Sequence, residues 1–301
     1  MQIAMIGLGR MGANMAQRLM QGGHQVVGFD PAEAARKVIE DKGGQSAPSL
    51  EALVAKLQAP RVIWLMVPAG AITDGTITSL TPLLKAGDTI IDGGNSNYKD
   101  TQRRAAALES LKINYVDSGT SGGIWGLAEG YSLMIGGDEA VVERLRPIFE
   151  TLAPGPDKGW GRVGAVGAGH YTKMVHNGIE YGLMQAYAEG FSILDHKTEF
   201  KLDLHQIAEI WRYGSVVRSW LLDLTANALE KNPTLQGIAP YVADSGEGRW
   251  TVSEAIDLGV PAMVITASLM ERFRSRDNDS FIDKILAAMR NQFGGHEIKK
   301  E

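Results

Sequence analysis

The sequence contains no cysteine. Disulfides, thiolate-bound metals and a cysteine nucleophile are therefore excluded together, and the composition fits a reducing cytoplasm, the expected compartment. There is no basic surplus either: 30 Lys and Arg stand against 35 Asp and Glu, a net charge of −5. Nothing here suits a nucleic-acid backbone, and no nucleic-acid partner is expected. The longest apolar stretch, Val62 to Ile72, falls short of the ~20 residues that span a bilayer, so no membrane partner is expected. The N-terminus reads as a strand entering a glycine loop, interrupted early by Arg10, and not as a signal peptide. The six histidines show no ligand spacing such as HExxH, so no metal is expected. Ser121 lacks the context of a nucleophile elbow, which removes the usual serine-hydrolase reading.

What is present is a globular composition, 44% hydrophobic and 22% charged, over 301 residues. That length suggests two domains, each able to bury a core. Short apolar runs at Gln2–Ile6, Gln25–Phe29, Val62–Val67, Thr89–Asp92 and Asn114–Asp117 read as strands. Helical patterns such as Met11–Gln21 and Ala32–Asp41 lie between them, and end at Gly22-Gly23 and Gly43-Gly44, which suit left-handed C-caps. This alternation predicts a doubly wound, mainly parallel sheet covered on both faces, a Rossmann-like α/β domain over residues 1–166. The glycine-rich stretch Ala153–Gly169 reads as the approach to a second domain. Residues 167–301 show only helical patterns: Tyr171–Leu194, Leu204–Tyr213, Trp220–Lys231, Arg249–Leu258, Ala262–Arg276 and Ser280–Gln292. An all-helical domain is expected there.

Four segments carry candidate chemistry. Gly7-Leu8-Gly9-Arg10-Met11-Gly12 is a GxGxxG between a strand and a helix. Its glycines allow a tight turn, close approach of a pyrophosphate and close helix packing, while the helix N-terminus offers N–H groups to the anion. Asp30, at the end of the second strand and 18 residues after Gly12, can accept hydrogen bonds from the adenosine ribose and repel a 2′-phosphate. NAD is thus favoured over NADP, although Asp30-Pro31 also suits a helix N-terminus, and Arg36 and Lys37 soften the selectivity. Asp92-Gly93-Gly94-Asn95-Ser96 lies at a strand exit, where Asn95 can face nicotinamide or substrate, or cap the next helix. Asp117 to Gly123 offers glycines and hydroxyls that suit a small carboxylate, and equally suit a surface loop.

The fourth, Lys173 to Tyr181, is the most informative. At about 100° per residue, Lys173, His176, Asn177, Glu180 and Tyr181 share an arc of roughly 140°. An amine, imidazole, amide, carboxylate and phenol on one helix face suggest a substrate cavity. Each residue singly also fits an ordinary solvated helix face.

Taken together, these residues resemble the 6-phosphogluconate dehydrogenase (decarboxylating) family in its shorter bacterial form. The likeness runs through Gly7–Gly12, Asp92–Ser96, Ser121-Gly122-Gly123, the Lys173–Tyr181 stretch, and Arg290-Asn291-Gln292-Phe293-Gly294-Gly295-His296 near the C-terminus. The resemblance implies oxidation of 6-phosphogluconate at C3, then loss of C1 as carbon dioxide to give ribulose 5-phosphate. It implies Lys173 as general base and then acid, and Glu180 as the acid that protonates C1. Asn95, His176 and Asn177 would hold substrate hydroxyls, and Ser121, Gly122 and Gly123 the carboxylate. Tyr181, Arg272, Arg290 and His296 would hold the phosphate. The cofactor, NAD with NADP less preferred, would lie against Gly7, Leu8, Gly9, Arg10, Met11, Gly12, Asp30, Val67 and Asn95. The segment Asp244–Thr251 is shorter than the long form's loop, which carries a further phosphate-binding lysine; Arg249 is the candidate replacement. The resemblance also implies that residues 167–301 bind substrate and oligomerise, with the active site between the two domains, in a homo-oligomer whose C-terminal tail reaches a neighbouring active site. Two other readings stay open. One is a dehydrogenase of another β-hydroxyacid such as 3-hydroxyisobutyrate. The other is a non-catalytic nucleotide sensor, against which Lys173 argues.

Overall fold

The computed structural model describes residues 1–299. Eight strands form one sheet: β1 (Gln2–Ile6), β2 (Gln25–Phe29), β3 (Gln45–Ser46), β4 (Val62–Leu65), β5 (Thr89–Asp92), β6 (Asn114–Ser121), β7 (Ser132–Gly136) and β8 (Trp160–Gly164). Their order is β3-β2-β1-β4-β5-β6-β7-β8, parallel throughout except for the antiparallel pair β6–β7. The central strands are apolar on both faces. Ile3, Ala4 and Met5 of β1 and Ile63, Trp64 and Leu65 of β4 are wholly buried, as a sheet covered by helices on both sides requires. The winding reverses between β1 and β4, so a crevice opens at their C-terminal ends.

Helices α1 (Arg10–Gln21), α2 (Glu33–Glu40), α3 (Leu50–Ala55), α4 (Ala71–Leu80), α5 (Tyr98–Glu109), α6 (Gly126–Glu129) and α7 (Glu139–Leu152) connect the strands. α1 turns Gly12, Ala13, Met15, Ala16 and Leu19 inward. It closes on Gly23, whose φ of +82° lets the N–H groups of Gly23 and His24 reach the carbonyls of Met20 and Leu19 at 3.0 Å. One core on this side joins Met5, Met15, Trp64 and Phe149. The opposite face buries Ile63, Leu65, Leu80, Ile90 and Leu108 beneath the other helices.

Three strands were not evident in the sequence. β3 has two residues, and β8 is a partly exposed edge strand with two glycines and no alternation. β7 reads as an ambiguous short apolar run. Asp117 to Ser121, a loop by composition, is strand because β7 pairs with it residue for residue. Tertiary pairing here outweighs the low strand propensity of Asp, Ser and Gly.

The remaining helices are α8 (Ala168–His196), α9 (Leu204–Arg212), α10 (Trp220–Lys231), α11 (Glu247–Asp257), α12 (Met263–Arg274) and α13 (Phe281–Gly294). No strand occurs among the described residues beyond β8. The chain divides into two compact units, Met1–Asn177 and Gly178 onward, so the division falls inside α8. The second unit holds a small core of Phe191, Ala208, Leu222, Ala226 and Leu229. None of the described helices is long and apolar enough to cross a membrane.

Candidate active site

The three fingerprint glycines answer different physical demands. Gly7 has φ +89°, and a Cβ on it would lie 2.4 Å from the Met66 carbonyl oxygen. A Cβ on Gly12 would lie 1.9 Å from the carbonyl oxygen of Gly7. These two serve the turn and the close packing of α1. Gly9 has an ordinary φ of −61°, and a Cβ on it would meet nothing within 4 Å. Protein packing does not require glycine there; the open space suits a ligand lying against the backbone. The N-terminus of α1 carries no side-chain cap and no acidic residue in its first turn, so its N–H groups and partial positive charge face that space. Arg10 is exposed, Met11 half-buried and Leu8 buried. The residues fit a dinucleotide pyrophosphate.

Asp30 follows β2 directly. Its Oδ2 accepts from the Leu8 N–H and its Oδ1 from the Ala32 N–H, each at 2.9 Å. The carboxylate is thus fixed beside the fingerprint. It closes a local turn and does not cap α2, which starts at Glu33 with Ala32 in the cap position. Arg36 Nη1 donates to the Asp30 and Pro31 carbonyls at 2.7 and 3.1 Å, so a cation lies along the same turn.

The exits of β4 and β5 meet backbone to backbone, since a Cβ on Gly94 would lie 2.9 Å from the Val67 carbonyl oxygen. Asn95 is exposed between buried Gly94 and Ser96. The cap of α5 is Asn97, which accepts from the Lys99 N–H at 2.9 Å, so Asn95 does not serve as the cap. Below this loop lies a network that no local spacing in the sequence announces. Asp92 accepts from the Gly94 N–H (3.1 Å), Ser96 Oγ (2.8 Å), the Tyr115 hydroxyl (3.0 Å) and Arg104 Nη1 (3.3 Å). Arg104 also donates to Asp74 at 2.7 Å and to the Gly70 carbonyl at 3.3 Å, tying the loops after β4 and β5 together. Burial, then the charge of Asp92, pushes the Tyr115 hydroxyl well above the usual phenol range, so it stays a donor. The hydrogen bond from Arg104 holds Asp74 below the usual carboxylate range.

β6 exits at Ser121, followed by Gly122 and Gly123 with φ of +132° and +51°. Ser121 and Gly122 are half-buried and Gly123 is exposed. The first turns of α8 pack straight onto β6: a Cβ on Gly119 would lie 2.5 Å from Lys173 Cβ. Lys173 is 7% exposed and Asn177 8% exposed, although both are polar and near a helix start. His176 Nδ1 stands 3.0 Å from Asn177 Oδ1 and 3.5 Å from Lys173 Nζ. The shorter contact orients the imidazole through Asn177 and leaves Lys173 at the outer limit of hydrogen-bond distance. An amine, imidazole and amide are thus gathered in the first unit, where Lys173 packs against Gly119 of β6.

In the second unit, Tyr181 is buried and its hydroxyl accepts from the Ser245 N–H at 3.3 Å. Gly248 allows this, since a Cβ there would lie 2.5 Å from the Tyr181 ring. The Arg272 guanidinium stacks 3.6 Å from the centre of that ring and donates to the Ala243 carbonyl at 2.7 Å. Arg272 and Tyr181 are therefore brought together. Arg249 is held in a two-pronged pair with Asp244, at 2.7 and 3.0 Å, and Arg276 adds a third contact at 2.9 Å. These bonds, led by Arg249, pull the Asp244 carboxyl down to about 2. Glu180 is half-buried; Arg290 is exposed on α13. His296 is exposed beyond the left-handed Gly295, its carbonyl accepting from Asn291 Nδ2 at 2.9 Å. Among the described residues no cluster of three or more His, Asp or Glu forms a metal site.

Residues 2–167 match the family profile described as the NAD binding domain of 6-phosphogluconate dehydrogenase, and residues 169–292 match its C-terminal domain. A Haloferax volcanii protein named 6-phosphogluconate dehydrogenase, NAD(+)-dependent, decarboxylating, is 44% identical, the alignment covering 100% of this chain and 99% of the relative. The solved Plasmodium falciparum 6-phosphogluconate dehydrogenase, described in complex with its cofactor NADP+ and its substrate 6-phosphogluconate, is 28% identical with a TM-score of 0.84. That match covers 100% of this chain and 66% of the other. A Mycobacterium tuberculosis 3-hydroxyisobutyrate dehydrogenase shares the fold at 24% identity, TM-score 0.74, over 92% of this chain and 94% of its own.

Proposed function

The chain belongs to the 6-phosphogluconate dehydrogenase family, and from that premise we propose that it oxidises 6-phosphogluconate at C3 and releases C1 as carbon dioxide, yielding ribulose 5-phosphate. The observation that carries the assignment to chemistry is the buried Lys173 beside His176 and Asn177, on a helix packed against a glycine-lined strand exit. Gly7, Leu8, Gly9, Arg10, Met11, Gly12, Asp30, Val67 and Asn95 would hold the dinucleotide, whose nicotinamide supplies a hydride acceptor when bound. We assign NAD as the preferred form, because the Asp30 carboxylate repels an added 2′-phosphate, and Arg36 on the same turn allows NADP at lower efficiency.

Lys173, as the free amine, removes the C3 hydroxyl proton. The β-keto acid so formed loses its carboxylate because the electron pair delocalises onto the new carbonyl. Lys173, now protonated, donates to that oxygen. Glu180 then protonates C1 of the enediol. Asn95, His176 and Asn177 hold substrate hydroxyls, and Ser121, Gly122 and Gly123 hold the carboxylate until it leaves. Tyr181 and Arg272, with Arg290 and His296, bind the phosphate. Arg249, engaged by Asp244, shapes that loop and is not a free cation for it.

We further assign a cytoplasmic homo-oligomer. α13 exposes Phe281, Ile282, Ile285, Leu286 and Met289, an apolar face of the kind a neighbouring subunit covers. In this reading Arg290 and His296 complete a neighbour's site. The test is Lys173→Met at saturating 6-phosphogluconate. Loss of both oxidation and decarboxylation, with NAD binding kept, is expected. A kcat within about tenfold of wild type, ~1.4 kcal/mol of transition-state stabilisation, would remove Lys173 from the acid–base role.

A further inference from the structure

Asp117 is wholly buried on β6, and both of its carboxylate oxygens are spent on one task. Oδ1 accepts from the Gly167 N–H at 2.7 Å and Oδ2 from the His170 N–H at 2.8 Å. These donors belong to the start of α8, whose first N–H groups have no partner within the helix. The cap therefore comes from the sheet, 50 residues earlier in the chain, and not from the residue preceding the helix.

The surroundings make this joint rigid. Side chains at alternate strand positions share a face, so Asp117, Gly119 and Ser121 line up along β6. α8 lies on that face with almost no side-chain padding. A Cβ on Gly169 would lie 2.4 Å from the Met134 carbonyl oxygen and 2.8 Å from that of Asp117. A Cβ on Gly136 would lie 2.4 Å from Asp117 Oδ1, so the carboxylate packs directly on the glycine. Next along the face, Gly119 receives Lys173 Cβ. His170 and Lys173 are three residues apart and so occupy one face of the helix. His170 is held a second time, by Thr101 Oγ1 at 2.7 Å from its Nδ1. The Asp117 bonds fix the axial position of α8 against β6, and Thr101, on α5, holds the helix at the same level, one turn before the lysine.

We infer that Asp117 is a positioning residue: it sets the register of α8 on β6 and thereby the place where the Lys173 amine stands relative to the Ser121-Gly122-Gly123 exit. This rests on the proposed role of Lys173. Placement errors of about 1 Å can cost 10²-fold in rate, so a joint of this kind governs kcat without touching substrate.

The experiment compares Asp117→Asn in wild-type and Lys173→Met backgrounds, measuring kcat, KM for each substrate, the Kd of NADH by fluorescence, and Tm. An asparagine keeps the shape but offers one acceptor oxygen, so its amide N–H opposes one of the two backbone donors. The expected result is a kcat lowered about 10- to 100-fold with the Kd of NADH within twofold of wild type. In the Lys173→Met background the same change should lower Tm again yet leave the residual rate within twofold. A kcat within threefold of wild type, or an equal loss in both backgrounds, would overturn the inference and reduce Asp117 to a stabilising cap. Retention of kcat by Lys173→Met alone would instead show that the reading of the lysine had failed, and the inference with it. Should Asp117→Asn not fold, Gly119→Ala leaves the Asp117 carboxylate in the chain while its methyl intrudes on Lys173 Cβ and on the Gly169 carbonyl oxygen, and must give the same split between kcat and cofactor affinity.

Discussion

Alanine at Gly12 should destabilise the fold and alanine at Gly9 should not, while both weaken cofactor binding. At Gly12 the new methyl lies 1.9 Å from the Gly7 carbonyl oxygen and 3.2 Å from Met66 Cβ. α1 must lift from the loop, and overpacking of this kind costs about 1–3 kcal/mol or more. At Gly9 the φ of −61° suits any residue, and the methyl meets no protein atom within 4 Å. Reduced freedom of the unfolded chain, about 0.4–1 kcal/mol, is offset by alanine's poorer fit at this N-cap position, so stability stays close to wild type. The space entered is the one assigned to the pyrophosphate, so NADH affinity should fall by at least about tenfold, ~1.4 kcal/mol. Urea denaturation without ligand and NADH fluorescence titration read the two quantities separately. A Gly9→Ala protein that is as stable as wild type and binds NADH with unchanged affinity would refute the placement of the cofactor at the α1 N-terminus.

Asp30→Ala should raise KM for NAD and narrow the gap to NADP in steady-state assays; a wild-type enzyme that prefers NADP would contradict the role given to Asp30. Deleting residues 288–301 should abolish activity, and mixing Lys173→Ala subunits with Arg290→Ala subunits should restore part of it; hybrid oligomers without activity would contradict a shared site. Asp244, whose carboxyl titrates at about 2 when folded against 3.8 when free, contributes stability that is complete above about pH 4 and is lost as pH falls towards 2. Denaturation of wild type and Asp244→Asn should therefore differ at pH 6 and converge at pH 2.

Much of the first unit was legible because its signals are local. The run Gln2–Ile6, the fingerprint glycines, the C-cap at Gly22-Gly23 and Asp30 at the end of β2 all express themselves within about twenty residues. The Lys173–Tyr181 stretch was legible as a mixture of polar groups at helical spacing. The edge strands β3 and β8 were not, because partners in space define them more than their own residues do. The supporting network escaped for the same reason. Arg104 finds Asp74 thirty residues away, and Asp117 finds Gly167 and His170 fifty or more away. No spacing rule connects such pairs. Arg249, which the resemblance offers as a replacement for the long form's lysine, is paired with Asp244, a contact that the resemblance does not indicate.

The central claim is the reaction itself, and one coupled measurement tests it most directly: absorbance at the NADH band with 6-phosphogluconate and NAD, and carbon dioxide trapped from the same mixture. The account predicts NADH and carbon dioxide in equal amounts, a lower kcat/KM with NADP, and far slower turnover of a β-hydroxyacid without phosphate. NADH formed without carbon dioxide, or turnover of 3-hydroxyisobutyrate with none of 6-phosphogluconate, would contradict it.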